Sequence, residues 1–134
     1  SAKFSYEVYP DQDVEIEESD LKINFEVREA RDKKDKSRFS SNRLIEAVDW
    51  HKVERPIYVR NRREGDRFVP LGMDGQKKLK DFFIDLKVPL RERNQVPLVC
   101  DETGIIWVVG YRIDDRYKID DKTDEILLME ARKP

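Results

Sequence analysis

The chain has 134 residues, of which 42% are charged, 38% hydrophobic and 10% aromatic, with a formal net charge of −2. Mean hydropathy is −0.81, wetter than an ordinary globular chain, yet two Trp, five Tyr and six Phe argue against full disorder. One cysteine (Cys100) and one histidine (His51) exclude disulfide scaffolds and histidine-based zinc sites, and no run approaches the roughly 18 apolar residues that span a bilayer.

Taken from the N-terminus, no signal-peptide pattern precedes the first strand, and Ser1-Ala2 without an initiator Met is expected of a piece of a longer chain. Phe4, Tyr6 and Val8 alternate with polar residues, as do Val14 and Ile16, then Leu21, Ile23, Phe25 and Val27. Period-two spacing predicts half-buried antiparallel strands, broken at Pro10-Asp11 and Ser19-Asp20. Residues 30–41 are almost wholly polar and aperiodic, which predicts an exposed loop and a seam. Residues 1–41 are thus expected to form a strand-rich N-terminal segment and residues 42–134 the main domain. Leu44, Ile45, Ala47 and Val48 make a short apolar patch, and Asp49 is placed to cap a turn at 50–52.

Pro56 opens a predicted strand in which Ile57 and Val59 share one face and Tyr58, Arg60 and Arg62 the other. Glu64-Gly65-Asp66 reads as a turn that Asp66 braces. Leu79, Phe82, Phe83 and Leu86 fall at i, i+3, i+4 and i+7, which predicts one clear amphipathic helix over 78–86, stopped by Pro89. Residues 96–100 and 105–109 read as apolar strands joined by a glycine-containing hairpin turn at 101–104. Two last short strands are expected at 117–119 and 125–130. The fold class is β-rich α+β.

The charge is segregated along the chain. Residues 1–54 carry ten Lys/Arg against fourteen Asp/Glu, residues 55–95 eleven against six, and residues 96–134 six against nine. A basic centre between acidic flanks concentrates positive potential where an anion, above all a nucleic-acid backbone, can sit. Arg60, Arg62 and Arg63 precede the predicted turn, Arg67 follows it, Lys77, Lys78 and Lys80 stand at the start of the helix, and Arg91 and Arg93 follow the helix. Arginine pairs bidentately with phosphate and does not titrate. Cations at a helix start oppose the dipole, a cost of a few tenths of a kcal/mol each that a bound anion offsets. The competing reading is an ion pair between Arg62 or Arg67 and Glu64 or Asp66. Carboxylates 114–115 and 120–121 read as solvated pairs, Cys100 and Trp107 as core, and His51 as a cap or surface residue. No nucleophile–base pair is evident. The glycines at 65, 72, 75, 104 and 110 form neither GxG nor GxxxxGK, which excludes dinucleotide and Walker-type loops.

The stretch VRNRREGDRFVPLGMDGQKKLKDFFIDLKVPLRERNQVPLVCDETGIIWVVGYRID resembles the C-terminal domain of bacterial tRNA(Ile)-lysidine synthases. The resemblance lies in the R-x-R-x-x-GDRF turn, the KKLKDFFID run, R-x-x-PL and the IIWVVGYRID strand, and covers about residues 55–130. It implies layered antiparallel sheets of the kind shared with the phenylalanyl-tRNA synthetase β subunit. The family, by this resemblance, joins lysine to C2 of the wobble cytidine of tRNA(Ile) with ATP, in the cytoplasm. That chemistry, with ATP and Mg, belongs to a domain bearing an SGGxDS loop, which this sequence lacks, so no catalytic residue and no cofactor carries over to it. What carries over is tRNA, above all tRNA(Ile), docked through its acceptor-stem region, with Arg60, Arg62, Arg67, Lys77, Lys78 and Lys80 matching the family's basic positions. The catalytic domain of the same parent polypeptide and a homodimer are the protein partners expected, and no membrane. The alternative from another class is a protein-interaction or dimerisation module with no nucleic-acid role.

Overall fold

The computed structural model describes residues 3–30 and 42–134; the loop predicted at 30–41 lies outside them but for its first residue. Among the described residues, eleven strands are arranged in three antiparallel sheets. The N-terminal alternation gives β1 (Ser5–Val8), β2 (Asp13–Ile16) and β3 (Leu21–Glu29), with Asp11 and Asp20 in the left-handed region at the two breaks. β4 (Ile45–Asp49) ends where the Asp49 carboxylate accepts from the His51 N–H at 2.9 Å, capping a 3₁₀ turn at Trp50–Lys52. Next come β5 (Ile57–Arg60), β6 (Arg67–Phe68), β7 (Lys77–Lys78), helices α1 (Leu79–Asp85) and α2 (Leu90–Arg93), then β8 (Leu98–Cys100), β9 (Ile105–Val108), β10 (Arg112–Ile113) and β11 (Glu125–Arg132).

β1-β5-β8-β9-β10 form a five-stranded sheet and β2-β3-β11-β4 a four-stranded one, while β6 and β7 pair alone. The two large sheets face each other across Phe25, Val48, Leu127 and Met129 on one side and Val59, Val99, Ile106 and Trp107 on the other. α1 covers the opposite face of the five-stranded sheet, where Phe68, Leu79, Phe82 and Phe83 pack on Leu98, Cys100 and Val108. β8 and β9 are therefore buried on both faces, which is why they read as continuous apolar runs and not as an alternation. Ladders cross position 41 in both sheets: Tyr6 is opposite Val59, and Phe25 is opposite Met129.

Several predicted bounds change. Lys78 is the N-cap of α1, and the helix ends at Asp85 because Lys87 takes a φ of +57°, ahead of Pro89. Leu86 therefore leaves the apolar stripe and is 41% exposed. A second helix, α2, follows where only a polar segment was expected. Residues 115–117 form a 3₁₀ turn in place of the strand expected at 117–119, and the last strand runs on to Arg132.

Candidate nucleic-acid interface

The turn between β5 and β6 is built on Asp66. Its carboxylate accepts from both Nη1 and Nη2 of Arg60 at 2.9 Å and from the backbone N–H of Arg63 at 2.7 Å, and its carbonyl accepts from the Leu79 N–H at 2.9 Å. Asp66 braces the turn, as expected, but the arginine paired with it is Arg60 and not Arg62 or Arg67. Arg60 is only 6% exposed. Burial disfavours its charge, and the hydrogen bonds and charge of Asp66 more than offset this, raising its pKa above the ordinary guanidinium value. Arg60 thus holds the turn from inside and does not face solvent.

The turn opens a cavity of about 550 Å³ lined by Arg62, Arg63, Arg67, Lys78, Lys80 and, from the chain's start, Lys3. Glu64 and Asp66 also line it, the latter already matched by Arg60. Arg67 and Lys78 stand directly opposite each other in the β6–β7 ladder. Like charges so placed are destabilising. Among the described residues, Lys3, Arg63, Arg67, Lys78 and Lys80 have no ion pair. Arg62 donates through Nε to Asn94 Oδ1 at 2.7 Å, a neutral partner that leaves its charge in place.

The remaining predicted cations are arranged differently. Lys77 turns to Asp85 in an ion pair, and Arg93 donates through Nε to the Val88 carbonyl at 2.9 Å. Arg91 is exposed on α2. None of these three lines the cavity. The helix start is also not an open anion site, since α1 has seven residues and its first N–H is bonded to Asp66. Lys3 was missed because nothing local in the sequence ties it to the turn. Its position follows from the neighbouring Phe4 N–H, which donates to Asn61 Oδ1 at 3.2 Å.

Other candidates resolve into structure. Asp114, expected in solvent, is fully buried and accepts from the Val69 N–H and from Arg116. Asp115 accepts from the Gly72 N–H, which with Lys118 holds its carboxyl below the ordinary range. Burial pushes the Cys100 thiol up to about 12, so it stays protonated as a core residue. Trp107 is fully buried, and the exposed His51 ring lies 3.1 Å from Glu125. No group of three or more potential metal-ligating side chains exists among the described residues.

Residues 57–129, just over half the chain, match the family described as TilS substrate C-terminal domain. The chain belongs to that family. The tRNA(Ile)-lysidine synthase of Caldanaerobacter subterraneus subsp. tengcongensis is 46% identical over 95 residues, 71% of this chain and 20% of the relative. That of Clostridium acetobutylicum is 39% identical over 125 residues, 93% of this chain and 26% of the relative. This TilS-type domain therefore spans about a fifth to a quarter of the length of such relatives. A crystal structure of a TilS C-terminal domain superposes with a TM-score of 0.82 at 28% identity, covering 98% of both chains. An N-terminal fragment of the phenylalanyl-tRNA synthetase β subunit from Pyrococcus horikoshii shares the fold, with a TM-score of 0.67 at 14% identity over 84% of this chain and 39% of that one. The layered antiparallel architecture of the TilS-type domain is thus established by both its topology and its neighbours.

Proposed function

We propose that this domain is the accessory tRNA-binding part of a tRNA(Ile)-lysidine synthase, acting in the cytoplasm and docking the acceptor-stem region of tRNA(Ile) through the basic cavity and its rim. One observation carries the reading: Arg67 and Lys78 face each other across a two-residue ladder, with Lys3, Arg63 and Lys80 around them and, among the described residues, no carboxylate paired to any of the five. Unneutralised charge held together against its own repulsion is stabilised by a polyanion. Double-stranded RNA is recognised mainly through phosphates and 2′-hydroxyls, which suits a surface of cations without stacking aromatics.

ATP and Mg would serve the wobble-base chemistry of the parent enzyme. The sequence has no glycine-rich phosphate loop and no group of three or more potential metal-ligating side chains among the described residues, and no step of that chemistry is assigned to this chain. Its own residues bind and orient the RNA. The test is a titration with unmodified tRNA(Ile), a second tRNA and a plain RNA hairpin at low and physiological salt. Saturable binding that weakens steeply with salt supports the reading, and absence of binding at low salt contradicts it.

A second reading rests on Ile84, Leu86 and Leu90, exposed at 47%, 41% and 65% near the α1–α2 junction. Exposed apolar side chains close in sequence suit contact with the catalytic part of the parent polypeptide or with a second copy. Sedimentation that stays monomeric across concentration excludes the second copy.

A further inference from the structure

We infer that the cavity receives a terminal phosphate monoester, the 5′-phosphate of an RNA end, gripped by the fork of Arg62. The inference rests on the RNA-binding reading above and goes beyond it, because a basic face alone needs only internal phosphodiesters. The shape argues for an end. Phosphodiesters of a duplex lie along a convex ridge with one charge each, and a ridge spreads its charge over a surface. A hollow of about 550 Å³ is several times the size of a phosphate and has room for the terminal nucleotide that carries it. A monoester projects from the chain end and carries a charge of about −1.5 to −2 at neutral pH, matching cations gathered around one hollow.

Arg62 is prepared for this task in a way its neighbours are not. Its Nε donates to Asn94 Oδ1 at 2.7 Å, which fixes the guanidinium plane and leaves Nη1 and Nη2 without a protein acceptor among the described residues. The backbone at Asn94 is held in turn, its main-chain carbonyl accepting from Asn61 Nδ2 at 3.2 Å, while Asn61 Oδ1 accepts from the Phe4 N–H at 3.2 Å. Two parallel N–H donors on a fixed plane match two oxygens of one phosphate. Asn94 is thereby a positioning residue for Arg62, and Arg67 and Lys78 supply charge from the facing ladder.

The test uses the full 134-residue chain and two RNA hairpins of one sequence, one ending in a 5′-monophosphate and one in a 5′-hydroxyl, with affinities read by fluorescence anisotropy. The phosphorylated hairpin is expected to bind at least about fivefold more tightly. Arg62→Lys, which keeps the charge and removes the fork, and Asn94→Ala, which frees the guanidinium, should bring that ratio toward one, whatever either does to the affinity common to both hairpins. A general loss of structure would weaken both hairpins alike and leave the ratio unchanged. Equal affinity for the two hairpins in the unaltered chain overturns the inference and leaves RNA binding standing. Failure to bind either overturns both. A preference that survives Arg62→Lys removes Arg62 from the site.

Discussion

Arg60 and Arg67 flank one turn, the first 6% exposed with both guanidinium ends on Asp66, the second exposed on the cavity rim. Removing one partner of a buried pair strands the other charge, a loss of about 3–5 kcal/mol. Arg60→Leu should therefore lower the urea midpoint sharply. Lys78→Glu should do the reverse, since it sets opposite charges across the β6–β7 ladder and should add about 0.2–1 kcal/mol while weakening RNA binding. Stability and affinity moving in opposite directions at one residue would identify the cavity charge as functional. Equilibrium denaturation beside RNA titration reads both.

Glu46 gives a pH signature at the same scale. It sits on β4 opposite Met129, itself opposite Phe25, so it shares the core-facing side of the four-stranded sheet. Burial raises its carboxyl to about 7, partly countered by a hydrogen bond from the Ala47 backbone. A folded-state pKa above the unfolded one means the fold binds the proton more tightly. The contribution is then complete below the ordinary carboxylate pKa and is lost as pH rises toward and through about 7. Asp13, Asp115 and Asp120 shift downward, so their effect falls at lower pH. Between pH 5 and 8 the parent chain should lose stability relative to Glu46→Gln, measured by denaturation at both values. A difference between the two that is flat with pH would contradict the assignment.

At the scale of elements, the β8–β9 turn is tied to its surroundings by one carboxylate. Asp101, fully buried, accepts from the backbone N–H groups of Thr103, Gly104 and Glu54 and from the Thr103 and Tyr117 hydroxyls. Asp101→Ala should cost more than about 3 kcal/mol by leaving several donors unmet, visible as a large fall in Tm. The hairpin itself was legible, because two apolar runs around a glycine-containing turn carry their own signal. The end of α1 was not, because Pro89 is visible in sequence whereas the left-handed turn at Lys87 is set by how the chain leaves the helix. β7 has two residues, both lysine, and no periodicity to detect. Asp114 was misplaced because Arg116 beside it reads as an exposed partner, whereas the donor that draws it inward, the Val69 N–H, lies far away in sequence. Likewise the basic segment was legible from charge alone, whereas the inward turn of Arg60 required Asp66 to fold back on it.

Over the whole molecule, the strands on either side of position 41 share both large sheets. Deleting residues 1–41 would remove β1 from one sheet and β2 and β3 from the other, leaving β11 paired only with β4. The shortened chain should show no cooperative unfolding transition by near-UV circular dichroism. A sharp transition would mean that residues 42–134 fold alone. The same tertiary closure sets the electrostatics: a chain of net charge −2 gathers cations from residue 3 and residues 62–80 around one hollow.

Contact between these cavity cations and RNA phosphate is read from the salt dependence of tRNA(Ile) affinity for the unaltered chain and for the Arg67→Ala, Lys78→Ala double variant. With about five phosphate contacts, affinity should fall about 10²–10³-fold between 50 and 200 mM salt. The double variant should bind more weakly at low salt, with a slope shallower by about two. An unchanged slope and affinity would show that RNA, if bound, sits elsewhere on the domain.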